Sequence, residues 1–450
     1  MVREKLLEKI FSVKNDKDRK HKVVNMLGAK IKFKKLNLKD KIDYFKIKND
    51  KSLYVGIPDD ITLQLMFNND CNCRCKFCFA EGATTKDLKM MSPEMLYEDL
   101  KPLYPKTSNI VPTDGEITFH KEGYEYLSYL NKNYPAINIF VETNGIAFNE
   151  KWQNLAAENL MRVNFSLNAI NDEYFKKTVW EKDGVHDVVM NNLRNYIKLL
   201  DEKGLGLFRP SVSCVINSTN YETVDEFVKK AIEMKIQCIN FFVDAAENNL
   251  YDKENPIKDM EGFKSALIKL MEIERIIDGK VFLGYKLFFP SADLYEIEKR
   301  IQIEDINVLR AKYPEISALT DNLMDLKSVY LEKTKIRNQK GKKPYSYYEE
   351  LSNVTFHQFE QNQKMICKNP WNHIRLMPNG KASVCSWRPY DLDINCFRKN
   401  NKIDWKAFFN DYKHRMMRKN FKKGCYPDCM PNCPGMDCVS VEDFNKKYSL

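Results

Sequence analysis

Hydrophobic and polar positions follow two rhythms along the chain. Strand-like apolar runs recur at ITLQLMF (61–67), NIVPT (109–113), INIFVET (137–143), RVNFSLN (162–168), RPSVSCVIN (209–217) and IQCINFFVD (236–244). Between them, residues 92–103, 122–133, 188–200 and 221–235 place apolar side chains at helical spacing, as at Val224, Phe227, Val228, Ile232 and Met234. Strands alternating with helices predict βα units around a parallel sheet. Six strands make either a partial (β/α)6 barrel of TIM-like design or an open α/β sheet. In both, reactive groups belong at the carboxyl ends of the strands.

The flanks read differently. KIKFKK (30–35) alternates lysine with Ile31 and Phe33, a period of two that predicts a strand. Residues 250–365 are charged and mostly helical, with a strand-like VFLGYKLFF (281–289) and an exposed loop at 338–348. LMPNGKASVCSW (376–387) predicts a hairpin turning at Asn379–Gly380. The expected divisions are a basic extension (1–58), a barrel core (59–250), a mostly helical connection (251–365) and a cysteine-rich end (366–450).

Composition narrows the class. The 450 residues are 43% hydrophobic and 12% aromatic, enough to bury cores and too many for one ordinary core. No apolar run is long enough for a spanning helix, and MVREKLLEKI lacks the apolar core of a secretory signal. The expected location is the cytoplasm. Thirteen cysteines, an odd number and clustered, then imply metal ligation or redox chemistry, not a disulfide framework. Residues 1–50 hold 16 Lys/Arg against 7 Asp/Glu, while the net charge of the whole chain is +10. Such an arm suits docking to an anionic membrane face or an assembly partner, and suits equally a solvated face.

The densest chemistry is CNCRCKFC (71–78), directly after the first strand. Cys71, Cys75 and Cys78 form CxxxCxxC, with Cys73 an extra thiol inside it. Three thiolates from one loop can hold a cubane iron–sulfur cluster and leave the fourth iron open to a substrate or cofactor. A structural cluster or a zinc site is the alternative.

Residues 60–245 resemble the radical S-adenosylmethionine (SAM) superfamily, in which CxxxCx(aromatic)C binds a 4Fe–4S cluster; Phe77 occupies the aromatic slot. The resemblance implies that the open iron chelates SAM, that reduction yields a 5′-deoxyadenosyl radical, and that the radical takes a hydrogen atom from the substrate. TDGE (113–116) stands where the family has GGE. Gly115 and Glu116 match and Asp114 departs. By the resemblance Glu116 holds the cofactor's ammonium, TNG (143–145) ends the third strand, and Ser166, Asn168 and Asn217 bind the ribose or carboxylate. Asp244, ending the sixth strand, is a candidate general base, with a helix-capping role as its alternative.

The second cysteine group resembles the SPASM/twitch extension of the same superfamily. Cys367, Gly380 and Cys385 match its first signature, and Cys425, Cys429, Cys433 and Cys438 follow. The resemblance implies one auxiliary 4Fe–4S cluster, two at most. Cys367 and Cys385 with Cys425 and Cys429 are the favoured ligands. Trp371 and Trp387 suit a shield around it or ordinary packing. Cys214 and Cys238 read as core residues, and Cys396 has no assignment.

IFSVKN (10–15) and HKVVNMLGAKIKFK (21–34) resemble a short segment found on proteins of surface-polysaccharide assembly. That tilts the expected substrate toward a sugar or glycan, oxidised or epimerised. Peptide or protein maturation is the alternative, and a noncatalytic iron–sulfur or zinc scaffold is another. Flavodoxin or ferredoxin is the expected electron donor. Nucleic acid is not an expected partner.

Overall fold

The fold is seen in a computed structural model that describes residues 11–15, 21–26, 29–34, 47, 49–78, 89–243, 260–285, 297, 299–344, 365–367, 369–385, 392–421 and 438–440. Strands β1 (Phe11–Asn15), β2 (His21–Met26) and β3 (Ala29–Lys34) form an antiparallel meander. The strand expected at Lys30–Lys34 is its last member.

The six predicted core strands are β4 (Ile61–Met66), β5 (Thr107–Thr113), β6 (Asn138–Thr143), β7 (Arg162–Ser166), β8 (Ser211–Ile216) and β9 (Cys238–Val243). They lie side by side in chain order, all parallel. Helices Lys121–Asn133, Glu150–Glu158, Val185–Glu202 and Val224–Glu233 make the crossovers, which is the predicted partial TIM-like arrangement. The helix predicted over 92–103 is reduced to a π-helical turn, Met95–Asp99. Pro102 and Pro105 supply no amide donor to carry it further.

The sheet extends beyond six strands at both edges. β10 (Phe282–Gly284) pairs in parallel with β9, so the strand expected in the connecting region belongs to the core sheet. After β11 (Met365–Cys367), strand β12 (His373–Leu376) pairs in parallel with β4. β13 (Lys381–Ser383) and β14 (Leu392–Asp393) continue the sheet antiparallel, with Gly380 at φ +78° in the predicted hairpin turn. A small ribbon, β15 (Arg398–Lys399) with β16 (Lys402–Ile403), follows, and β17 (Cys438–Ser440) pairs back onto β11.

Side-chain alternation explains the shape. On β4, Ile61, Leu63 and Leu65 are fully buried, whereas Thr62, Gln64 and Met66 are half-buried. Parallel strands covered on both faces read as continuous apolar runs; alternation leaves one face open. Strand register puts Thr62, Gln64, Asn109, Glu142, Asn164 and Ser213 on that shared concave face. At the amino end of β6, helix Leu326–Gln339 closes the barrel: Arg337, 3% exposed, donates to Asn138 Oδ1 at 3.2 Å.

Polar bonds lock the chain after β14 to the core. Arg398 forks onto the Asp99 carboxylate at 3.0 and 2.7 Å, and Trp405 Nε1 donates to the Asp99 carbonyl at 2.8 Å. Arg418 is fully buried and donates to the carbonyls of Leu53, Pro370 and Phe409. A buried guanidinium is tolerable only with its donors satisfied in this way. Among the described residues no helix is long and apolar enough to cross a membrane.

Candidate active site at the cysteine loop

The loop leaves β4 at its carboxyl end. Phe67 N–H reaches across to the Thr113 carbonyl, and Lys76 N–H to the Thr178 carbonyl, so base and tip are both fixed. Within it, Cys71 and Cys75 are half-buried, Cys78 is exposed, and Cys73 is 2% exposed in the core. Cys73 lies within hydrogen-bond reach of the Cys71 and Cys75 sulfurs, and these contacts with burial push its thiol far up. The contact to Cys73 in turn holds the Cys71 thiol below its ordinary value. Cys73 is therefore the buried member of the four, and Cys71, Cys75 and Cys78 form the more accessible set.

Behind the loop the chain makes an unusual turn. Asp114 and Gly115 both take left-handed backbone, φ +62° and +56°. A Cβ on Gly115 would lie 2.1 Å from Asn68 Oδ1 and 2.3 Å from the Asp70 carbonyl, so only glycine fits. Asp114, at the first glycine position of the GGE motif, adopts the conformation without being a glycine. Burial raises its carboxyl, and Arg375 opposes the rise.

Glu116 is 2% exposed. Its Oε1 accepts from Thr118 N–H at 3.1 Å, Thr118 Oγ1 at 2.6 Å and Thr143 Oγ1 at 3.0 Å, and its Oε2 accepts from Asn144 N–H at 2.6 Å. Burial raises the carboxyl, while those hydrogen bonds pull it back. Oε2, with a single donor among the described residues, is the oxygen with capacity for a cation.

The remaining candidates divide. Ser166 is half-buried on the concave face, in register with Ser213. Asn168, at φ +56°, gives Nδ2 to the Ser166 carbonyl at 3.0 Å and takes Val215 N–H on Oδ1 at 3.0 Å. Asn217 Oδ1 accepts Thr219 N–H and Oγ1, at 3.0 and 2.6 Å. Both asparagines engage the strand ends. Phe77 packs half-buried against the core. Asp244, Trp387, Cys425, Cys429 and Cys433 lie outside the described residues. Cys385 is half-buried just past β13. Cys367 is 5% exposed, and its register partner is Cys438 on β17.

Sequence reasoning missed two concave-face residues. Glu142 is open to solvent inside the concavity, yet desolvation by the surrounding walls, with Asp114 and Glu116 adding, pushes it up to about 7. Arg375 on β12 stands in register with Gln64, whose Oε1 is buried without a partner among the described residues. A lone acid inside the apolar NIFVET strand was the available signal for Glu142; Arg375 gave none, because its strand's neighbour is set by the fold.

Residues 65–231 match the profile described as Radical SAM superfamily. The chain carries a radical SAM domain. It is 28% identical over 120 residues to FeMo cofactor biosynthesis protein NifB of Methanocaldococcus infernus, covering 24% of this chain and 40% of that protein. Identity is 27% over 244 residues to a probable GTP 3′,8-cyclase of Methanocaldococcus jannaschii, covering 49% and 78%. It is 26% over 245 residues to a cysteine-type anaerobic sulfatase-maturating enzyme of Clostridium novyi, covering 49% and 61%. This chain thus spans less than two thirds of the NifB and sulfatase-maturase relatives.

The cofactors of a radical SAM domain are a 4Fe–4S cluster and SAM. The residues present fit them. Three thiols on one loop supply the donor set, Gly115 leaves backbone room, and Asn68 Nδ2 beside it is buried without a partner among the described residues. Among the described residues, no three His, Cys, Asp or Glu converge on one ion. A cubane places each thiolate on a separate iron and asks only that they surround a common volume.

Proposed function

We propose that this chain is a radical SAM enzyme that takes a hydrogen atom from a polar substrate held on the concave face of the barrel. The observation that carries the reading is the accessible three-thiol loop at the carboxyl end of β4, beside Gly115 and Glu116. When bound, the cluster and SAM supply the electron and the 5′-deoxyadenosyl radical. Cys71, Cys75 and Cys78 hold the cluster, with Phe77 packed under the loop. Glu116 Oε2 accepts the cofactor's ammonium, as a carboxylate suits a cation. Ser166, half-buried on the concave face, would bond the cofactor's ribose or carboxylate, and Asn168 and Asn217 would shape the strand ends beside it. The chain's own work is placement, and exclusion of water from a reactive intermediate.

The concave face describes the substrate's chemistry. Arg375 suits an anionic group, Glu142 can give or take a proton near neutral pH, and Gln64 Oε1 awaits a donor. Glu142 is thus a second candidate for the acid–base role, beside Asp244. The sulfatase-maturating enzyme that aligns over 245 residues supports a peptide or protein side chain, the probable GTP 3′,8-cyclase that aligns over 244 supports a nucleotide, and neither supports a glycan. The glycan reading rests on the N-terminal resemblance alone. Cys367, Cys385 and Cys438, with a further cysteine from Cys425, Cys429 and Cys433, hold an auxiliary 4Fe–4S cluster. An external electron donor completes the system.

The test is anaerobic reconstitution of the full chain, then incubation with dithionite and SAM. Wild type forms 5′-deoxyadenosine, and a Cys71→Ala, Cys75→Ala, Cys78→Ala variant loses both the product and about four iron per chain. Equal product from both proteins overturns the reading.

A further inference from the structure

The sulfur of Cys71 receives two N–H groups: the Cys73 backbone at 3.4 Å and the Asn144 side-chain amide at 3.7 Å. The second is held in place from three sides. Asn144 backbone N–H donates to Glu116 Oε2 at 2.6 Å. Its Oδ1 accepts Ile146 N–H at 3.0 Å, and its Nδ2 also donates to Asn72 Oδ1 at 2.6 Å. The orientation of the amide is thereby fixed. Flipping it would set two oxygens against each other at Asn72 and leave Ile146 N–H without its acceptor.

A donor fixed on a ligating sulfur favours whichever cluster state carries more negative charge, which is the reduced one. Hydrogen bonds to the sulfurs are among the levers that set a cluster's potential. We propose that Asn144 is a positioning residue that raises the reduction potential of the cluster on Cys71, with Glu116 holding it in place. The inference deepens the reading above and rests on it: residues 71–78 must hold a cluster.

The experiment is an anaerobic redox titration of the reconstituted full chain, followed by electron paramagnetic resonance. The signal monitored is the one lost in the Cys71→Ala, Cys75→Ala, Cys78→Ala protein. Asn144→Asp keeps the oxygen that accepts Ile146 N–H and deletes the donor; Asn144→Ala deletes both without adding charge. The expected result is unchanged iron content and a midpoint shifted to more negative potential in both variants. A loosened loop that merely admitted water would stabilise the reduced cluster and move the midpoint the other way. Wild-type midpoints in both variants, a positive shift, or failure of both to retain iron overturns the inference. If wild type itself forms no cluster on residues 71–78, the underlying reading falls with it, and iron analysis of wild type separates the two failures.

Discussion

The loop at 71–78 gathers its sulfurs within eight consecutive residues, whereas Cys367 meets Cys438 only because β11 and β17 pair across a long stretch of chain. The first arrangement is local and is tightened by neighbours from β5 and β6. The second depends on tertiary structure from the outset. Yet the two regions share one sheet, because β12, six residues after Cys367, lies directly against β4. Local clustering makes a metal site legible as a motif. Nonlocal clustering makes it a consequence of the fold, and hence sensitive to changes far from any ligand.

That contrast can be broken outright. If Cys367 and Cys438 serve one auxiliary cluster, Cys367→Ala and Cys438→Ala should each remove the same iron, about four atoms per chain. Formation of 5′-deoxyadenosine should survive, since the first loop is intact. Iron analysis with product assay checks both, and unchanged iron in either variant would break the pairing. Gly115→Ala sharpens the opposite side. Left-handed backbone costs an L-residue about 1–2 kcal/mol, and the close approach to Asn68 and Asp70 adds about 1–3 kcal/mol more. Thermal unfolding should show that loss together with reduced SAM cleavage.

A smaller effect distinguishes the four clustered thiols from one another. Cys73→Ala should leave the iron count of the first loop unchanged and cost about 1–2 kcal/mol, through lost packing at a core position. The smallest expected effect lies on the concave face between the two regions. Glu142 has a folded value of about 7 against an ordinary 4.5. Its stabilising contribution is therefore full below pH 4.5 and is lost as pH rises through 7. Glu142→Gln removes this dependence. The melting temperature of wild type relative to Glu142→Gln should fall between pH 4.5 and 8, and a flat difference would show that Glu142 is not desolvated.

Legibility followed the range of the interactions. The six parallel strands were readable because each is a short apolar run bounded by turns and helices. The hairpin at Asn379–Gly380 was readable because its turn needs a residue at φ +78°. The helix over 92–103 was overestimated, since periodicity outweighed Pro102 in the reading although the backbone does not permit it. Arg375 could not be assigned to the concave face, because nothing within four residues of it says that its strand will lie beside β4.

The sequence by itself determined which reactive groups stand together: three thiols at CxxxCxxC after the first strand, a glycine and a carboxylate after the second, and a βα rhythm that sends both to one end of a barrel. Those features are set by spacing along a few residues and by backbone preference, which act locally. Only the tertiary structure decided that Cys73 turns inward, that Asn144 faces the Cys71 sulfur, that Glu142 and Arg375 share one concavity, and that Cys438 stands across from Cys367. Burial, strand neighbours and the direction of a side chain depend on parts of the chain remote in sequence, and they exist only once those parts have packed.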